Sequence, residues 1–96
     1  MFEHLLRQGA RRNLDGYTFF LGRRESGRAR LGILVSRRHA ARATERNRIK
    51  RCIREAFRME QEGLGPIDVL VRPPYGIEPS SRMIAQLRKL FGELVG

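Results

Sequence analysis

Residues 36–59 read SRRHAARATERNRIKRCIREAFRM, and the rest of the chain is organised around them. Between Arg37 and Arg58 nine basic side chains face only two acids, Glu45 and Glu55, leaving +7 of the formal +10 carried by the 96 residues. Set at about 100° per residue, Ile49, Cys52, Ile53, Ala56 and Phe57 gather on one stripe roughly 140° wide. Arg46, Asn47, Lys50, Arg51, Arg54 and Arg58 are read as the opposing arc. The pattern predicts an amphipathic helix, apolar side docked and basic side outward. Thr44 is the expected N-cap, since its hydroxyl can accept from a free N–H of the first turn. Gly63 is the expected C′ residue, able to turn left-handed without a Cβ clash.

The charge is too one-sided for a merely solvated face. Solvent-facing helices usually neutralise themselves with Glu–Lys or Glu–Arg pairs four residues apart, whereas Arg46, Lys50, Arg54 and Arg58 follow one another as like charges. Each such pair costs an isolated helix roughly 0.2–0.5 kcal/mol, a sign that a polyanion would reverse. The chain uses Arg 18 times against two Lys, and a guanidinium fork holds phosphate oxygens bidentately or stacks on bases. Nucleic acid is the partner class these residues predict.

The ordered set ERNRIKRCIREAFR (Glu45–Arg58) resembles the signature helix of the bacterial ribonuclease P protein family, an Arg-Asn-Arg core followed by Lys-Arg and Arg-Glu. Arg46, Asn47, Arg48, Lys50, Arg51, Arg54 and Glu55 match it in turn. LGILVSRRHAARA is similar to the family's strand ending in Val-Ser with two basic residues after it, and DVLVRP (Asp68–Pro73) to its next strand. The resemblance runs from about Phe2 to Leu94. His39-Ala40-Ala41 departs from it, standing where many members carry a glycine. Leu6 departs where many have an aromatic, and Met1 stands almost directly before Phe2 where members usually have a basic segment.

Ninety-six residues predict one domain over 1–96 with a single modest core. Hydrophobic content of 41% beside 31% charged residues is ordinary for a globular chain, so the basicity is added to a foldable sequence. No apolar run approaches the roughly 20 residues of a spanning helix, and a signal-peptide core is not seen at the N-terminus. The one cysteine, Cys52, lies on the apolar stripe and reads as a small core residue in a reducing, cytoplasmic setting.

In chain order, FEHLLRQ (residues 2–8) is expected to form a short helix, and ARRNLDG a polar connection. Tyr17–Leu21 reads as a strand. Residues 22–30 read as a charged hairpin loop, and Leu31–Ser36 as a second strand antiparallel to the first. After the basic helix and GLGP, Ile67–Val71 is a third strand, ended by Arg72-Pro73-Pro74. Residues 82–95 form a closing helix with Met83, Ile84, Leu87, Leu90, Phe91 and Leu94 on one face and Ser80 or Ser81 as N-cap. The expectation is an α+β αββαβα sandwich, a small mixed sheet packed by helices. The resemblance adds a ribosomal protein S5 domain 2-like fold with a left-handed βαβ crossover, against the usual right-handed rule.

Candidate RNA-binding residues are Arg46, Asn47, Arg48, Lys50, Arg51 and Arg54 on the helix and Arg37 and Arg38 after the second strand. Arg48 projects some 200° away from Arg46, and Glu55 is expected to pair with Arg51 or Arg58. The resemblance implies that the helix contacts a catalytic RNA, and that the 5′ leader of precursor tRNA lies in a cleft between the first helix and the sheet, where Phe2 and Phe20 match aromatic positions. It implies a monomeric protein in a 1:1 complex with ribonuclease P RNA, with Mg²⁺ held at the RNA active site. The residues themselves offer no protein catalyst and no metal set: His4 and His39 lack ligand spacing, and no nucleophilic triad or carboxylate pair is visible. The alternatives are a ribosomal-type module for structured RNA, a DNA-binding regulator with its helix in a major groove, and a peptide lying on a membrane surface.

Overall fold

In a computed structural model of the chain, residues 9–95 are described. The helix expected over residues 2–8, and Phe2 with it, lies outside them. The described elements are β1 (Ala10–Leu14), β2 (Tyr17–Arg23), β3 (Arg30–Ile33), α1 (Ala43–Leu64), β4 (Ile67–Arg72) and α2 (Ser81–Glu93). One mixed sheet runs β1-β2-β4-β3, with β2 antiparallel to both β1 and β4, and β3 parallel to β4.

Two expectations are corrected. ARRNL is a strand, so the sheet has four strands where three were expected. Asp15 (φ 51°) and Gly16 (φ 86°) form the tight turn into β2, the two-residue geometry that needs positive φ at both positions and favours Asp-Gly. The stretch 22–30 is not a hairpin loop, because β4 lies between β2 and β3 and only the opposed direction of those two strands survives. Ile67–Val71 is buried throughout, and a strand buried on both faces belongs in the middle of a sheet, not at its edge. The 24–29 connection crosses β4 and is held by Asp68. Arg30 grips that carboxylate through Nε (2.8 Å) and Nη2 (3.2 Å). Arg24 Nε stands 3.1 Å from it as a charge contact without hydrogen-bond alignment.

Side chains alternate across the pleat. Tyr17, Phe19, Val69 and Val71 face the helices and share a core with Ile49, Ile53, Ala56 and Phe57 of α1 and Met83, Leu87, Leu90 and Phe91 of α2. Phe91 packs edge-on against Phe19 and Phe57, each with centroids 5.8 Å apart. Tyr17 is fully buried and its hydroxyl finds no partner among the described residues. Burial, helped by nearby Cys52, pushes its pKa up to about 12. On the other face Phe20, Leu70 and Leu34 make a small second cluster.

Helix ends differ slightly from expectation. Arg42, without a side-chain cap, precedes α1, and Thr44 is already inside the helix. Gly65 (φ 74°), two residues after Gly63, makes the exit turn. Ser80 caps α2, its hydroxyl accepting from the Met83 N–H at 3.2 Å. Arg12 Nη1 donates to the Glu93 carbonyl at 3.0 Å, a cation placed at the negative end of α2.

Candidate nucleic-acid interface

The outward stripe of α1 is Asn47, Arg51, Arg54 and Arg58, all exposed. Their spacings of four, three and four residues put them in one row about 16 Å long. Arg58 holds Glu55 through Nη2 (2.6 Å) and Nε (3.2 Å), as one of the two expected pairings. Those bonds draw the Glu55 carboxyl below its ordinary pKa. Among the described residues, Arg51 and Arg54 have neither an ion-pair nor a hydrogen-bond partner. Two guanidinium groups on one helical face therefore remain open to an external anion.

Arg46 is different. Three residues before Ile49 and seven before Ile53, it falls on the core-facing side of the helix and is half-buried. Its Nη1 donates to the carbonyls of Ala40 (3.1 Å) and Ala41 (2.9 Å). Reading Arg46 on the open arc is thus corrected: its side chain ties the 36–42 loop to the first turn of α1. Lys50 is half-buried on the same flank, while Arg48 is exposed on the other side and borders a cavity with His39 and Glu45.

Arg37 and Arg38 are exposed on the loop after β3. The loop owes its shape to His39, which is 7% exposed. His39 Nδ1 accepts from the Ser36 N–H at 3.0 Å and its Nε2 contacts the Pro73 carbonyl at 2.9 Å. The second contact requires a proton on Nε2, which assigns the tautomer. His39 thereby pins the arginine loop to the end of β4.

On the sheet face away from the helices, Phe20 is joined by residues from a strand that sequence reading missed. Arg11, opposite Phe20 in register, sets its guanidinium carbon 5.9 Å from the Phe20 ring centre. At the same face Arg72 Nη2 donates to Thr18 Oγ1 (3.3 Å), which donates to Asn13 Oδ1 (3.0 Å). The Asp15-Gly16 turn signal was the clue that could have revealed Arg11 and Asn13. Phe20 itself is 6% exposed. Among the described residues, no group of three or more His, Cys, Asp or Glu could hold a metal ion, and no helix is long and apolar enough to cross a membrane.

A mixed sheet backed by two helices, with exposed arginines on α1 and on the sheet face away from it, defines a basic α+β protein. Residues 1–95 match the family described as Ribonuclease P. The ribonuclease P protein component of Nitrosococcus oceani is 34% identical over 96 residues, covering 98% of this chain and 81% of that protein. That of Acinetobacter baylyi is 49% identical over 57 residues, covering 59% of this chain and 44% of that protein. The RNase P protein from Thermotoga maritima has the same fold, with a TM-score of 0.80 at 24% identity over 99% of this chain and 92% of that one. The chain belongs to the ribonuclease P protein family, and its match spans about half the length of several of the curated relatives, that of Acinetobacter baylyi among them.

Proposed function

We propose that this chain is the protein subunit of ribonuclease P, binding the catalytic RNA and the 5′ leader of precursor tRNA to promote removal of the leader. The observation that carries the reading is the pair of unpartnered guanidinium groups, Arg51 and Arg54, in the family's signature helix. Arg48, Arg37 and Arg38 extend the cationic surface to the adjoining loop. Affinity from such a surface comes from displacing counterions from phosphates and falls steeply with salt. Arg46 orders the loop, and Asn47 lies exposed in the basic row, where its amide can donate to a phosphate oxygen or a hydrated ion.

The sheet face away from α1 is the leader side of the reading. Single-stranded RNA is held by aromatic faces beside a basic track; here Arg11 is the exposed cation, set over the Phe20 ring, which is itself 6% exposed and supports it from below. Because α1 packs on the opposite face of the sheet, the two surfaces can engage different RNA segments at once. Mg²⁺ at the RNA active site would activate the attacking water and stabilise the leaving oxygen. In this reading the protein's part is neutralising charge and positioning substrate.

The test is cleavage of precursor tRNA by bacterial ribonuclease P RNA at low Mg²⁺ and moderate salt, with and without the protein. An equally basic unrelated domain is the control. Rescue by this protein alone, at the mature 5′ end, supports the reading. Failure with several ribonuclease P RNAs, while RNA binding persists, would favour a ribosomal-type RNA-binding module.

A further inference from the structure

Tyr75 is 59% exposed, in the turn that follows β4. Its ring rests on that of His39, centroids 4.6 Å apart and planes inclined by 50°. Both nitrogens of His39 are engaged, by Ser36 and Pro73, so the surface beneath Tyr75 cannot easily turn away. Pro73 and Pro74 fix the backbone on the approach to Tyr75. An exposed aromatic is thus held in place on one side and bare on the other. Nothing in the core, the sheet or the two cationic surfaces uses it.

Its neighbours name the ligand. Arg37 and Arg38 belong to the His39 loop and are exposed. Beside the His39 ring lies a cavity of about 440 Å³ walled by Glu45, Arg48, Ile77, Glu78 and Pro79. Its two carboxylates repel phosphate but accept N–H groups, such as those on the edges of bases. The arginine loop attracts phosphate and the bare ring accepts a base. We infer that Tyr75 is a stacking platform for one unpaired RNA nucleobase, with the phosphate of that nucleotide on the Arg37–Arg38 side. The inference rests on the proposed role in ribonuclease P and adds a contact outside both the helix face and the sheet face.

The chain has no tryptophan and only two tyrosines, and the other, Tyr17, is fully buried. The change in tyrosine emission on adding RNA, less that of Tyr75→Phe, which carries the Tyr17 emission and the absorption by RNA, therefore reports on Tyr75. Quenching on addition of ribonuclease P RNA alone supports the platform and assigns the base to the RNA subunit. Quenching only when precursor tRNA joins the preformed complex supports it and assigns the base to the substrate. No quenching with either overturns it. In filter binding to the RNA that quenches, Tyr75→Leu should weaken affinity by about 5- to 100-fold. Tyr75→Phe should stay near wild type, and neither should change the salt slope, because no charge is lost. If Tyr75→Leu binds normally while Arg51→Ala with Arg54→Ala flattens the slope, the platform is refuted and the wider reading stands. If neither variant differs from wild type, both fall.

Discussion

Replacing Arg51 and Arg54 together by alanine separates phosphate binding from fold. Both side chains are exposed and without partners among the described residues, and alanine is the best helix former, so α1 should persist. If each arginine neutralises one phosphate, log K against log salt should flatten by about 0.7–0.9 per residue, or about 1.4–1.8 for the pair. Between 50 and 200 mM monovalent salt the ratio of wild-type to variant affinity should then shrink by about 7- to 12-fold. The assay is filter binding to ribonuclease P RNA across that range at constant Mg²⁺, with circular dichroism melts to verify the fold. Arg46→Ala is the contrasting variant. It loses the bonds to Ala40 and Ala41, costing about 1 kcal/mol of stability with little change of slope. Parallel salt plots for wild type and the Arg51/Arg54 variant would refute the assignment of this face to phosphates.

Three further outcomes follow from the packing. Tyr17→Phe removes a buried hydroxyl that has no partner among the described residues and should stabilise the fold by about 1 kcal/mol in urea unfolding. Because the folded state holds the Tyr17 proton up to about pH 12 and the unfolded chain releases it near pH 10, wild-type stability should fall as pH rises between those values. That loss of up to about 3 kcal/mol should be missing from the variant. Asp68→Asn leaves Arg24 and Arg30 without their shared carboxylate. Since both arginines are partly exposed, the cost should be about 1–3 kcal/mol, measured as a lowered thermal midpoint. Arg11→Ala should reduce the preference of the assembled complex for precursor over mature tRNA by about 2- to 10-fold, leaving affinity for the RNA subunit unchanged.

How much of this was legible in the sequence depended on whether a local period carried the information. The inner stripe of α1 spans several turns, so Ile49, Ile53, Ala56 and Phe57 were readable as core, and all four are buried. The ends of that helix were less so, since a cap depends on where the chain turns, and Gly65 turns instead of Gly63. β1 was hidden because ARRNL is polar on both faces, as an edge strand can be. Strand order was hidden because the pairing of β3 with β4 joins residues as far apart as Arg30 and Asp68. Among the site residues, Arg51 and Arg54 stand where the outward arc was expected. Arg46 does not, its guanidinium drawn to loop carbonyls whose positions no helical wheel contains. Tyr75 carried no signal within a proline-glycine turn, because its significance comes from His39, 36 positions earlier.

The sheet ends on one side in β1, with Arg11 and Arg12, and on the other in β3, which starts at Arg30. An unpaired strand edge invites a second copy to add to the sheet, and like charges along it discourage the approach. Arg11 and Arg12 give the β1 border such a charge, while Arg30 at the β3 border is gripped by Asp68 and contributes less. Copies that approach through the β1 border therefore repel one another. High salt screens that repulsion, and a concentrated saline stock is the condition in which aggregation through these edges should first be seen.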